Sequence, residues 1–118
     1  MAELYLQPSL SEVADFSDFY RKHKLRDCQK KMTLTLESNR RTVSRLFTSG
    51  AVFTLRGTEV GQGLLMVHRQ ILEIVELFDG QTSESRIDAL FEKLEATFLQ
   101  HDELSAQANQ TIAQLPNQ

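Results

Sequence analysis

The stretch RGTEVGQG, residues 56–63, sets Gly57, Gly61 and Gly63 between the apolar runs AVFTL and LLMV. Strand, glycine turn and helix in that order can hold a phosphate on backbone amides and a helix N-terminus. The details argue otherwise. The spacing is G-x-x-x-G-x-G, no lysine follows, and Glu59 places negative charge where a phosphate would sit. A nucleotide site of that kind also needs a parallel sheet around the strand, and the rest of the chain offers no strands. Two readings remain: a helix break with Thr58 as N-cap, or close packing in which Gly57 and Gly61, four apart on one face, admit a neighbouring backbone.

Other chemistry has less to work with. Metal sites on helical bundles use Glu-x-x-His or His-x-x-x-His because those spacings point two ligands inward from one face, and neither spacing occurs around His23, His68 or His101. Nucleophilic catalysis needs a nucleophile, a base and an orienting group in one concave site, and no motif marks such a set. The single cysteine, Cys28, lies near Arg26 and Lys30, whose charge favours thiolate, but it also occupies an apolar seam and reads as a buried structural residue. His101 reads as a polar layer in a helical seam and His68 as a boundary residue. No catalytic residue, metal or cofactor is expected, and the chain is not expected to be an enzyme.

The basic residues form the strongest remaining pattern. Residues 20–56 carry a formal charge of +8, residues 57–118 carry −7, and residues 1–19 carry −4, within a net charge of −3. Arg21, Lys22, Lys24, Arg26, Lys30, Lys31, Arg40, Arg41 and Arg45 would stripe a helix, and such a stripe can contact nucleic-acid phosphates through counterion release. An overall pI of about 5.6 and the absence of aromatic residues interleaved within 21–45 favour another use, charge matching with an acidic helix.

The elements that position these residues are helical. A chain of 118 residues with two prolines, five glycines and no tryptophan suits an all-α protein better than a turn-rich β-sandwich. Residues 1–8 read as an extended N-terminal arm ending at Pro8, and Ser9 with Glu12 as a capping box opening a helix whose stripe includes Leu10, Val13, Phe16, Phe19 and Tyr20. No glycine or proline occurs from Ser9 to Ser49, and a bend or short break is expected near His23–Asp27. The alternation in MTLTLES is too short to outvote the helical register around it.

Seams can be counted. Leu25, Cys28, Met32, Leu36, Asn39, Val43, Leu46 and Gly50 keep three- and four-residue steps, which continue through Phe53, Gly57, Val60, Leu64, Val67, Ile71, Ile74 and Phe78. One helix across all of these would be roughly 80 Å long, so a break is expected at Thr48-Ser49-Gly50 or across Gly57–Gly63. Residues 64–78 should belong to the protein's own core. Asp79-Gly80-Gln81-Thr82 should end that helix, with Thr82 or Ser83 capping the next. In that last helix Ile87, Phe91, Leu94, Phe98, His101, Ser105, Ala108, Ile112 and Leu115 step strictly by four and three, a repeat that wants a partner helix.

The expected architecture is one helical domain over residues 1–118: a small antiparallel bundle or long helical hairpin of three to four helices, which a second copy could complete, with a frayed tail at 116–118. No apolar run approaches the roughly 20 residues of a membrane span, and the acidic start MAEL does not resemble a secretory leader. A cytoplasmic location, with no membrane partner, is the expectation. The leading functional expectation is a non-enzymatic helical interaction module, an adaptor, assembly subunit or chaperone-like binder of a helical partner, and a coiled-coil-like homodimer. Its expected partner-binding residues are Ile87, Phe91, Leu94, Phe98, Gly57 and Gly61. The alternative is a nucleic-acid-binding protein using the basic segment 21–45.

Overall fold

A computed structural model describes residues 10–79 and 83–116, with side chains from Asp18 onward. Helix α1 spans Leu10–Thr48, a short 3-10 turn spans Ala51–Phe53, α2 spans Leu55–Phe78, and α3 spans Glu84–Ala113. Among the described residues there is no strand. The fold is an all-α three-helix bundle, drawn out to 75 × 22 × 16 Å. The N-terminal arm, the Ser9–Glu12 capping box, the stripe through Leu10, Val13 and Phe16, the Gly80–Thr82 turn and residues 117–118 lie outside the described side chains.

The expected break near His23–Asp27 does not occur. With no glycine or proline to interrupt it, α1 runs unbroken for 39 residues, and Asp27 is an exposed mid-helix residue facing His23 at 3.5 Å rather than a cap. Phe19, expected on the apolar stripe, is 65% exposed and stacks on the His23 ring with centroids 5.8 Å apart. The chain turns instead at Gly50, whose φ of +83° lies in the left-handed region that glycine enters without a Cβ penalty. Helix α2 then passes straight through Gly57, Gly61 and Gly63. Its N-cap is Thr54, not Thr58: the Thr54 side chain accepts a hydrogen bond from the Gly57 amide at 2.9 Å. At the start of α3 Ser83 is the N-cap residue, but its side chain makes no cap hydrogen bond.

Register is set by a few polar contacts. Asn39, buried in α1, donates to the Leu64 carbonyl of α2 at 2.9 Å, and Gly61 faces Leu46, so α1 and α2 run antiparallel. Helices α1 and α3 run parallel: Tyr20 bonds Asp88, Lys31 reaches Glu95, Thr42 meets Ser105 and Arg45 bonds Asn109, all at sequence separations of 63–68.

The core divides into two apolar clusters. One gathers Cys28, Val67, Ile71, Ile74, Phe78, Ile87, Leu94 and Phe98; the other gathers Leu46, Ala51, Val60, Leu64 and Ala108, and Leu104 packs against both. Buried polar residues, Thr35, Asn39, Thr42, Thr97, His101 and Thr111, interrupt this apolar interior. Each fully buried Leu, Ile or Phe contributes about 1.5–3 kcal/mol of hydrophobic stabilisation, while the polar belt fixes which residues face one another, since an unmatched buried amide is penalised.

Residues 64–78 are only partly consumed by this core. Leu64, Val67, Ile71, Ile74 and Phe78 are buried, but Leu65, Met66, Leu72 and Leu77 remain 49–59% exposed. The excess apolarity of α2 faces outward.

Candidate interaction surface

The α1–α2 turn is the most heavily braced irregular segment among the described residues. The Ser49 hydroxyl reaches the Leu46 carbonyl and the Ala51 amide, and the Thr54 hydroxyl donates to Ala51 O at 2.7 Å. Thr58 Oγ1 lies 2.6 Å from Val52 O and 2.9 Å from Thr54 O. Ala51 is fully buried beneath these contacts. Gly57 is what lets the turn lie so close: a Cβ there would stand 1.7 Å from the Ala51 carbonyl oxygen. The glycines therefore divide their work, Gly50 reversing the chain and Gly57 admitting a backbone.

This braced turn displays the two most exposed large apolar side chains among the described residues, Phe53 at 86% and Leu55 at 79%, with Phe47 nearby in sequence at 58%. The seam count placed Phe53 inside, in step with Gly57 and Val60. The step was invalid because the helix ends at Thr48 and phase is lost across the turn. The signal that could have found this surface is local: Ser49-Gly50 as a stop and Thr54 as a cap leave Ala51–Phe53 too short to bury both Ala51 and Phe53.

The partner-binding residues expected from sequence lie elsewhere. Ile87, Leu94 and Phe98 are buried in the first cluster and Phe91 packs half-buried against it, so the partner that the α3 repeat wants is supplied by α1 and α2 of the same chain. Gly57 and Gly61 are buried on the core side of α2. His101 is 2% exposed; its Nδ1 lies 3.5 Å from Asp102, and its Nε2 has no hydrogen-bond partner.

The basic residues of α1 divide into three sets. Lys24 approaches Asp88 at 3.8 Å and lies over the Tyr20 and Phe91 rings, Lys31 approaches Glu95 at 3.4 Å over Phe98, and Arg45 bonds Asn109 at 2.7 Å. Arg21 and Lys22 both pair with Asp18, whose carboxyl is held below its ordinary range, chiefly by the Lys22 hydrogen bond. Arg26, Lys30, Arg40 and Arg41 are exposed and form no ion pair among the described residues. The α1–α3 seam thus uses three of the nine basic residues, Asp18 holds two within α1, and the outer side of α1 keeps the other four.

An open groove of about 430 Å³ runs between α1 and α2 on the side away from α3, lined by Leu36, Glu37, Asn39, Arg40, Val43, Leu65 and His68. Its lining mixes apolar side chains with Glu37, Arg40 and His68. Among the described residues no group of three or more His, Cys, Asp or Glu could hold a metal ion. Cys28 is buried, its thiol bonds the Leu25 carbonyl, and burial pushes its pKa up, against the thiolate that Arg26 and Lys30 would favour. No helix among the described residues is long and apolar enough to cross a membrane. Comparison with protein-family models, curated proteins and solved structures finds no match to this chain.

Proposed function

We propose that this chain is a non-enzymatic helical protein-protein interaction module, an adaptor, assembly subunit or chaperone-like binder of a helical partner, working in the cytoplasm without a cofactor. The observation that carries the reading is the braced turn that holds Phe53 and Leu55 in water. Eleven hydrogen bonds and a glycine whose Cβ would collide with a carbonyl are not needed merely to connect two helices. Apolar side chains presented on rigid backbone lose little conformational entropy on docking, which is the condition for a binding anchor.

A photoreactive phenylalanine analogue at Phe53, introduced in cells of the natural source, tests this. The expected result is a discrete crosslinked protein that disappears with Leu55→Ser while the fold is retained. Absence of any protein adduct overturns the reading. The second reading, nucleic-acid binding, is favoured by Arg26, Lys30, Arg40 and Arg41, which are free of ion pairs along one α1 face. Binding through those four would weaken with salt with a logarithmic slope of roughly −4, and an adduct to nucleic acid with that slope would establish it. The proposed module shows neither.

A further inference from the structure

We infer that the α1–α2 face, opposite α3, binds a second copy of this chain in a parallel, two-fold dimer in which α1 of each copy lies against α2 of the other. The inference rests on the reading of the chain as an interaction module and names one of its occupants.

The middle of the face is a groove in which apolar side chains stand beside Arg40 and His68. Leu65 is 55% and Leu72 49% exposed, and Leu36 and Val43 of α1 are only half-buried beside them. Its two edges carry opposite charge. At 100° per residue, Arg26, Lys30 and Glu37 fall on the outer side of α1, and Glu76, Glu73 and Arg69 on the outer side of α2; Glu37 also lines the α1–α2 groove and Glu73 the neighbouring α2–α3 groove. All six are exposed, and none has an ion-pair partner among the described residues.

The register of the bundle matches these charges. Asn39 stands opposite Leu64, so each step down α1 corresponds to a step up α2. Lys30 is level with Glu73, Arg26 is within one residue of the level of Glu76, and Glu37 is within a turn of Arg69. A two-fold axis parallel to the helices preserves level and exchanges α1 for α2, so each of these residues meets its opposite charge on the second copy. The same operation sets Leu36 against Leu65 of the second copy and Met32 against its Leu72. An axis perpendicular to the helices would instead lay α1 on α1, basic edge on basic edge. Opposite charges flanking an apolar seam select orientation in just this manner, and the α1–α3 seam already pairs Lys24 and Lys31 with Asp88 and Glu95 by the same rule.

The area is adequate. The 24 residues of α2 give the face a length of about 36 Å, and two adjacent helices a width of about 20 Å, so about 700 Å² per copy. Standard interfaces cover roughly 800 Å² per partner.

Sedimentation equilibrium of the full chain from micromolar to millimolar concentration should give twice the 13.5 kDa monomer mass. The double variants Arg26→Glu/Lys30→Glu and Glu73→Lys/Glu76→Lys should each be monomeric, because like charges then oppose across the seam. Mixed in equal amounts they should restore the dimer, since the acidic α1 edge of one meets the basic α2 edge of the other. A monomeric wild type, dimers of either variant alone, or failure of the mixture to associate overturns the inference. The four substituted positions are exposed, so the circular dichroism of each variant should remain that of the folded wild type. The Phe53 crosslink does not involve them, so its survival in either double variant separates failure here from failure of the functional reading.

Discussion

At the scale of single residues, the glycines of α2 make opposite demands although they share a helix. A Cβ on Gly57 collides with the Ala51 carbonyl, backbone against backbone, whereas one on Gly61 meets Leu46 Cδ1 at 3.7 Å, an ordinary contact. Gly57→Ala should therefore destabilise by about 3 kcal/mol through overpacking, and Gly61→Ala should stabilise by up to about 1 kcal/mol through helix propensity. Urea denaturation of the two variants beside the wild type reads both signs. His101 is a third such site. Its Nε2 is buried without a partner, so His101→Leu, which fills similar space without a polar atom, should raise stability by about 1 kcal/mol in the same assay. Sequence spacing placed Gly57 and His101 in helical seams, where both are buried, but it read Gly57 and Gly61 as a face for a partner, whereas both lie on the core side of α2. It could not rank the two glycines, because the difference depends on a carbonyl in a turn six residues upstream.

At the scale of elements, the seams of α1, α2 and α3 were legible because three- and four-residue spacing follows from helix geometry alone. Continuity was less legible. The polar run RKHKLRD suggested a joint, but polar composition does not end a helix that lacks glycine, proline or a competing cap, and α1 continues through it. Phase was lost at Gly50, and with it the orientation of Phe53. The clasp between α1 and α3 was foreshadowed only as charge matching; the Tyr20 hydroxyl, which donates to Asp88 at 2.6 Å, was not. That hydrogen bond, aided by burial and by the Asp88 charge, pushes the Tyr20 pKa from 10.0 up to about 12. A group whose folded pKa is raised stabilises fully below its unfolded pKa and loses that contribution as pH climbs through the folded value. The stability difference between wild type and Tyr20→Phe should hold steady below pH 10 and shrink between pH 10 and about 12. Denaturant titrations of both proteins across that window check it, and a constant difference would contradict the clasp.

At the scale of the whole molecule, shape and charge act together. The three helices make a rod 75 Å long with one seam neutralised from within and another bearing unpaired basic and acidic edges. Charge segregation was visible in the sequence, but which helix flank each charge occupies required the register set by Asn39 and Leu64. Two modes of self-association compete for such a rod. The exposed Phe53 and Leu55 at the α1–α2 turn could join copies end to end, and the α1–α2 face could join them side by side. End-to-end contact would bury only a few side chains, whereas the face offers close to a standard interface and opposes unlike charges along its length. Small-angle scattering distinguishes the modes, since an end-to-end pair nearly doubles the maximum dimension while a level, parallel pair leaves it close to that of one rod and enlarges the cross-section. We expect the second profile, weakening as salt screens the exposed edge pairs, with the turn left free at one end for a different partner.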